Sequence, residues 1–147
     1  MATVATICAG IRTSLLTVPA LEYVSVTDFR PTVQTSKAAG MIVPFSQEDI
    51  ADRDSFGGTE IVVIHRIAVE LWTRHLPGDH ATTMARAHEL PLDAIKAIYK
   101  YDDTNGYTLA PGRTIDAVTD SVFTEIGTGL VFIVCKLGVW CENRVTV

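Results

Sequence analysis

The longest stretch of alternating hydrophobic and polar positions runs from Thr59 to Arg74. A period of two is typical of a β-strand, because successive side chains point to opposite faces of a sheet. At ~3.3 Å per residue this strand spans roughly 50 Å, whereas an ordinary strand has about 5–6 residues. We therefore expect a strand that either bends around the core or projects from it.

The C-terminal region predicts a second pair of long strands. Residues 113–126 alternate loosely, Gly127-Thr128-Gly129 has the composition of a hairpin turn, and Leu130 to Cys141 forms another extended run. Both this last run and the long strand are apolar on two faces, so each is expected to be covered on two faces. Helices of the same chain could cover the second face, or neighbouring subunits could cover part of it. The candidate residues for a subunit interface are Val62, Ile64, Trp72, Phe132 and Trp140.

Two regions have helical spacing. Residues 3–16 place apolar side chains on one side, which predicts an N-terminal amphipathic helix. Asp79 is a suitable N-cap for a second helix, which Pro91 is expected to break or kink. A further helical piece is predicted from Leu92 to Tyr101, followed by a turn at 102–106.

An acidic segment separates two strand predictions. Short strands are expected at 23–29 and 39–45, and residues 46–58 then form the most polar stretch of the chain. We interpret this stretch as a long loop or a protruding hairpin tip that ends at Gly57-Gly58. Its carboxylates are Glu48, Asp49, Asp52 and Asp54.

Together these elements predict an α+β fold. A mostly antiparallel sheet with long hairpins is flanked by an N-terminal helix and a central helical segment. With 147 residues and no repeat or linker-like segment, the chain is expected to be one domain over residues 1–147.

Composition narrows the function classes. The chain is 48% hydrophobic, yet its apolar runs are far shorter than the ~20 residues needed to cross a bilayer, so no membrane partner is expected. A net charge of −5 without a basic cluster argues against generic nucleic-acid binding. Three cysteines without metal spacing fit a reducing cytoplasm, where they act as small buried hydrophobic residues.

No catalytic or metal motif emerges. His75 and His80 flank a Pro-Gly turn and His88 lies on the following helix, but exposed or hydrogen-bonded histidines explain them better than a metal site. The acidic segment lacks calcium-loop spacing, and no nucleophile or phosphate-binding motif occurs. We therefore predict no enzymatic activity, no catalytic residue, no metal and no cofactor.

The order of elements resembles that of the tail terminator, or tail completion, proteins of long-tailed bacteriophages. The resemblance lies in the N-terminal helix, the acidic segment ending in Phe56-Gly57-Gly58, the long strand Glu60–Arg74, the helix near residues 80–101 and the terminal hairpin rich in Val and Ile. It covers most of the chain.

The resemblance implies a structural virion protein of the tail or neck, assembled in the host cytoplasm. It implies a six-membered homo-oligomeric ring that caps the tail tube protein, docks on the head-side connector and lets double-stranded DNA pass without specific binding. On this hypothesis the acidic residues 48–54 face the channel or a neighbouring ring. A carboxylate-lined lumen repels phosphate, so DNA can slide through it.

Other function classes stay open at this point. The chain could be another head–tail neck protein or the tail tube protein itself, which would polymerise without closing. It could also be a small α+β ligand-binding domain or enzyme with a cleft near His75, His80 and His88. The native mass separates a closed ring from a monomer that binds a ligand.

Overall fold

The structure is a computed structural model that describes residues 3–26, 37–52, 60–76, 78–126 and 130–146. The elements in chain order are α1 (Val4–Leu15), β1 (Val24–Ser25), β2 (Ala38–Asp52), β3 (Glu60–Arg74), α2 (His80–Lys100), β4 (Thr108–Leu109), β5 (Asp116–Ile126) and β6 (Leu130–Thr146). This arrangement confirms the predicted α+β class. None of the helices in these ranges is long and apolar enough to cross a membrane.

Helix α1 forms where the spacing predicts it. Thr3 caps its N-terminus by accepting a hydrogen bond from the backbone N–H of Thr6 at 3.2 Å. Its buried positions Ile7, Ile11 and Leu15 recur at helical spacing, so one face packs on the sheet while the other meets solvent.

Helix α2 continues through Pro91, so the predicted break at that residue is wrong, while a kink there stays a prediction. A proline inside a helix loses one backbone hydrogen bond and crowds the preceding turn, at a cost of ~3 kcal/mol or more. Pro91 itself is buried, as are Ala87, Leu90 and Ala94 on either side of it. Burial of this stripe against the rest of the core offsets the cost, which sequence propensity alone does not include.

The sheet follows the order β1-β2-β3-β6-β4, and β5 also pairs with β6. β1 is parallel to β2, and the other pairings are antiparallel. The predicted long strand is confirmed as β3, which pairs with β6 in constant register from Glu60↔Thr146 to Arg74↔Phe132. The predicted C-terminal hairpin is confirmed as β5 and β6, while its turn at 127–129 lies outside the described residues.

Residues 46–52 of the acidic segment form a strand, so of the two sequence interpretations the long loop is wrong over these residues, while the predicted hairpin tip falls on residues 53–59, outside the described residues. β2 continues to Asp52 and pairs with β3 as far as Val62, with irregular register between Val43 and Gln47 and again near Asp52. Asp, Glu and Ser have low β-propensity, but hydrogen bonding to a long neighbouring strand overrides that local preference. Glu48, Asp49 and Asp52 therefore belong to a strand, and Asp54 lies outside the described residues.

One face of the sheet packs against both helices. This helix-side core contains Ile7, Cys8, Ile11 and Leu15 of α1, Leu90, Ala94, Ala97 and Ile98 of α2, and Ile42, Ile67, Val69, Leu71, Cys135, Leu137, Val139 and Cys141 of the strands. All three cysteines are free and buried, as expected from their sparse distribution. Burial raises the pKa of the Cys141 thiol to about 12, so this thiol stays protonated and unreactive near neutral pH.

A buried polar network joins the two helices to the segment after α2. The Tyr107 hydroxyl donates to the Ile98 carbonyl at 2.6 Å and lies 2.9 Å from the Ser14 hydroxyl. The Asn105 side-chain amide donates to Ser14 at 3.0 Å. A Cβ atom added to Gly10 would lie 2.1 Å from the Asn105 carbonyl oxygen, so only glycine permits this close approach.

Candidate subunit interface

We call the face of the sheet opposite the helices the second face. Because side chains alternate along β3, Trp72 lies on this face while its neighbour Leu71 lies in the helix-side core. Trp72 packs with Phe132 and Val134, and the two aromatic rings meet edge to face with centroids 5.8 Å apart. Trp72 is 5% exposed and Phe132 is 0% exposed in the isolated chain.

A second cluster on the same face covers the other end of β3. Val62 and Ile64 pack against Ala110, with Trp140 at the margin. Ala110 follows the short strand β4 and donates its backbone N–H to the Trp140 carbonyl at 2.9 Å. Sequence reasoning missed β4 and the role of Ala110, because a strand of two residues leaves no periodic signal.

The structure thus brings the five predicted interface residues to one face in two clusters. Four of them, Val62, Ile64, Trp72 and Phe132, are already buried within the subunit, and only Trp140 is partly exposed. Their contact with a neighbouring subunit stays a prediction. Trp140 is the member of the set best placed to make such a contact.

Charged groups surround Trp140. Its indole N–H donates to the Asp116 carboxylate at 3.1 Å, and the Arg113 guanidinium carbon lies 4.3 Å from the ring centroid. Arg66 Nε lies 3.6 Å from Asp116, and its guanidinium covers Gly138, where a Cβ atom would approach within 2.4 Å. A stacked, hydrogen-bonded indole of this kind presents a rigid surface with an apolar centre and a cationic margin.

Past the strand positions that contribute to the helix-side core, the sheet continues as what we call the arm, consisting of residues 49–52 of β2, 60–64 of β3 and 142–146 of β6. On β3 the helix-side core ends at Ile67. Ile61 and Val63 lie on the same face as Ile67, but both are partly exposed and neither belongs to a buried cluster among the described residues. The arm therefore presents apolar side chains that no helix of the described chain covers fully.

The remaining sequence candidates are the histidines and the acidic side chains. Within the described residues no three His, Cys, Asp or Glu side chains lie close enough to hold a metal ion together. His88 is exposed on α2, whereas His75 and His80 lie beside each other. The three histidines therefore do not form one group of ligands in the described part of the chain, and a ligand-binding cleft near them stays a prediction.

A cavity of about 270 Å³ lies between α2 and the starts of β1 and β2. Its lining residues are Pro19, Ala20, Lys37, Ala38, Thr73, Arg86, Glu89, Leu90 and Asp93. The charges of both signs can compensate one another, so the lining selects for no particular class of ligand.

Comparison with known proteins gives little further information. No protein-family model matches the chain, and the search of curated proteins found no match. Among solved structures the chain is similar to one from the virion of a native gene transfer agent particle, at 12% sequence identity and a TM-score of 0.42. The likeness covers 99% of this chain and 96% of that chain. With so low a TM-score it carries no argument about function.

Proposed function

We propose that this chain is a structural protein of a phage-like virion and, more narrowly, a tail terminator subunit. In this role copies of the chain form a closed ring that caps the tail tube and joins it to the head-side connector. The proposal rests on the order of elements and on the arm, not on the distant likeness to the gene transfer agent chain.

The arm is the observation that carries the proposal. It combines an uninterrupted β3–β6 ladder with the partly exposed apolar side chains Ile61 and Val63. A monomeric protein has no evident need to extend a three-stranded sheet past its helices, since each apolar side chain left in water forgoes ~25 cal/mol per Å² of burial. A neighbouring subunit that covers the arm would recover that free energy.

Ring closure follows if the arm of one copy packs against a different surface of the next copy. A head-to-tail contact of this kind generates a ring when its rotation closes and an open filament when it does not. The rigid surface around Trp140 is a suitable receiving surface, because aromatic and arginine side chains are enriched at interface cores. Glu48, Asp49 and Asp52 belong to the last part of β2, and we propose that the acidic residues 48–54 face the channel or an adjacent ring.

The oligomeric state tests the proposal directly. Native mass measurement and negative-stain images of the purified protein should show closed hexameric rings. Open-ended tubes would favour the tail tube protein, and a monomer at all concentrations would reject a ring formed by this chain alone and call for the same measurement with tube and connector proteins present.

A matched set of variants locates the contact. Val63→Asp places a charge on the partly exposed face of the arm, so we expect loss of the ring with little change in thermal stability. Lys96→Ala changes the net charge by the same amount on the exposed side of α2 and should leave assembly intact. Ile64→Asp buries an unpaired charge beside Ala110 and should instead unfold the subunit.

If Val63→Asp assembles as well as the wild-type protein, the arm is not the contact. A ring that persists in that variant but dissociates on Trp140→Ala substitution would move the contact to the second face.

A further inference from the structure

Two imidazole rings lie side by side in the connection between β3 and α2. His75 Nε2 lies 3.4 Å from His80 Nδ1, and the ring centroids are 5.6 Å apart with planes inclined at 61°. One ring donates a hydrogen bond to the other, and this bond is longer than the usual ~2.7–3.2 Å, so a bound ion would replace it without moving the rings closer together. Two ligand nitrogens placed ~2.0–2.1 Å from one tetrahedral ion lie roughly 3.4 Å apart. We propose that His75 and His80 form a two-histidine site for a zinc-class metal ion.

The backbone holds the two rings in this arrangement. The His75 N–H donates to the Val131 carbonyl at 2.8 Å, which fixes the end of β3 against β6. The Thr83 hydroxyl accepts from the Leu76 N–H at 3.2 Å and donates to the Asp79 carbonyl at 3.0 Å. Thr83 is fully buried, so the short connection that carries both histidines is anchored from inside the protein.

The donor atoms select the ion. Neutral imidazole nitrogens suit Zn²⁺, Cu²⁺ and Ni²⁺, whereas Mg²⁺ and Ca²⁺ require oxygen ligands. No third His, Cys, Asp or Glu of the described residues completes the set, so water fills the remaining coordination positions. The start of α2 disfavours a cation through its dipole, and the carboxylate of Asp79, the residue before His80, supplies the opposite charge.

Both ligands can be reached from solvent, because His80 is exposed and His75 is only partly buried. The bound ion would connect His75, the first residue after β3, to His80, the first residue of α2, and the folded backbone already holds the two rings at the spacing of a metal site. A ligand that binds the folded state more tightly than the unfolded state stabilises the folded state by mass action. Zinc should therefore raise the melting temperature of the protein, whether or not it assembles into a ring.

The test uses the full chain without an affinity tag, because a histidine tag would bind the same ions. Calorimetric titration with Zn²⁺ should give one saturable site per chain, and Mg²⁺ should give none. His75→Ala and His80→Ala should each abolish that site and the zinc-dependent rise in melting temperature. His88→Ala, which removes an exposed histidine elsewhere on α2, is the matched control and should bind zinc as the wild-type protein does.

Nuclear magnetic resonance identifies the bound atoms. Long-range proton–nitrogen spectra of the imidazoles should show zinc-induced shifts at His75 Nε2 and His80 Nδ1, with the other two histidines unchanged. The proposal is overturned if zinc binding is not saturable, if His88→Ala weakens it as much as His75→Ala does, or if the shifts fall on other nitrogens. A variant that fails to fold is replaced by His75→Gln or His80→Gln in the same titration.

Discussion

Strand β3 passes through two regions that share a backbone ladder and differ in side-chain burial. In the half that the helices cover, Ile67 and Val69 are 0% exposed, whereas Ile61 and Val63 on the same face of the arm are partly exposed. Pairing with β6 is uninterrupted across both regions. Backbone hydrogen bonding therefore extends the strand over both regions, whereas the buried side chains of the helix-covered half contribute more to the free energy of folding than the partly exposed side chains of the arm. The helix-covered half supplies the core, and the arm leaves apolar side chains partly exposed.

The largest expected difference in stability is between two isoleucine-to-alanine substitutions, one in the helix-covered half of β3 and one in the arm. Ile67→Ala should destabilise the subunit by ~2–5 kcal/mol, because it leaves a cavity in a fully buried site. Ile61→Ala should cost about 1 kcal/mol or less, because its side chain already contacts solvent. Urea denaturation of the unassembled subunit measures both. Equal losses at the two positions would remove the distinction between core and arm.

A somewhat smaller loss is expected at the junction of the helices. Gly10→Ala places a methyl group 2.1 Å from the Asn105 carbonyl, so the backbone must shift, at a cost of ~1–3 kcal/mol. Ala9→Ser, at the adjacent exposed position, is the control and should change stability little. The free energy of unfolding of each variant decides whether this close approach stabilises the helix-covered half.

The buried tyrosine gives a prediction that depends on pH. Burial raises the pKa of Tyr107 to about 12, so folding favours its neutral form. The resulting stabilisation is complete below the unfolded-state pKa of ~10 and is lost as the pH rises toward 12. Tyr107→Phe also loses the hydrogen bond to the Ile98 carbonyl, at a cost of ~1–2 kcal/mol near neutral pH.

Denaturation at a series of pH values checks this sign. The stability difference between the wild-type protein and Tyr107→Phe should shrink between about pH 10 and 12. Tyr99→Phe, which removes the hydroxyl of an exposed tyrosine on α2, is the matched control and should change stability little near neutral pH. A difference that stays constant up to pH 12 would contradict the role assigned to burial.

The smallest effect is expected at the margin of the second face. Arg113→Ala removes a cation over the Trp140 ring and should cost ~0.5–1 kcal/mol. The emission of Trp140 should shift to the red as its ring becomes more exposed. Lys100→Ala removes a cation over Tyr101 instead and should leave tryptophan emission unchanged. Unchanged emission in Arg113→Ala would mean that Arg113 does not shield the indole.

The fold was predictable wherever one strand or helix carried its own period. β3 and α1 have clear apolar alternation at spacings of two and 3.6, so their positions follow from the sequence. The acidic end of β2 was not predictable, because the interaction that makes it a strand comes from β3 and not from its own residues. The same holds for Pro91, whose helix is maintained by packing.

The candidate interface was only partly predictable for a related reason. Alternation shows that both faces of β3 are apolar, but it does not show where the helices end. The sequence therefore predicts Val62 and Ile64 as interface residues and not Ile61 or Val63. In the structure Ala110 and Trp140 cover the first pair, and no helix fully covers the second. The distant residues that pack on a strand determine which of its apolar positions remain exposed.

The constant register between β3 and β6 also has a mechanical consequence. A force directed along the strands acts on all the backbone hydrogen bonds between β3 and β6 at once, over the 15-residue length of β3, so it is distributed among them. A force that pulls the strands apart sideways at the tip acts on these hydrogen bonds one after another, so each breaks separately. The arm should thus be stiff against pulling along its length and weak against peeling. A subunit that bears axial tension would be best served by strands aligned with that tension.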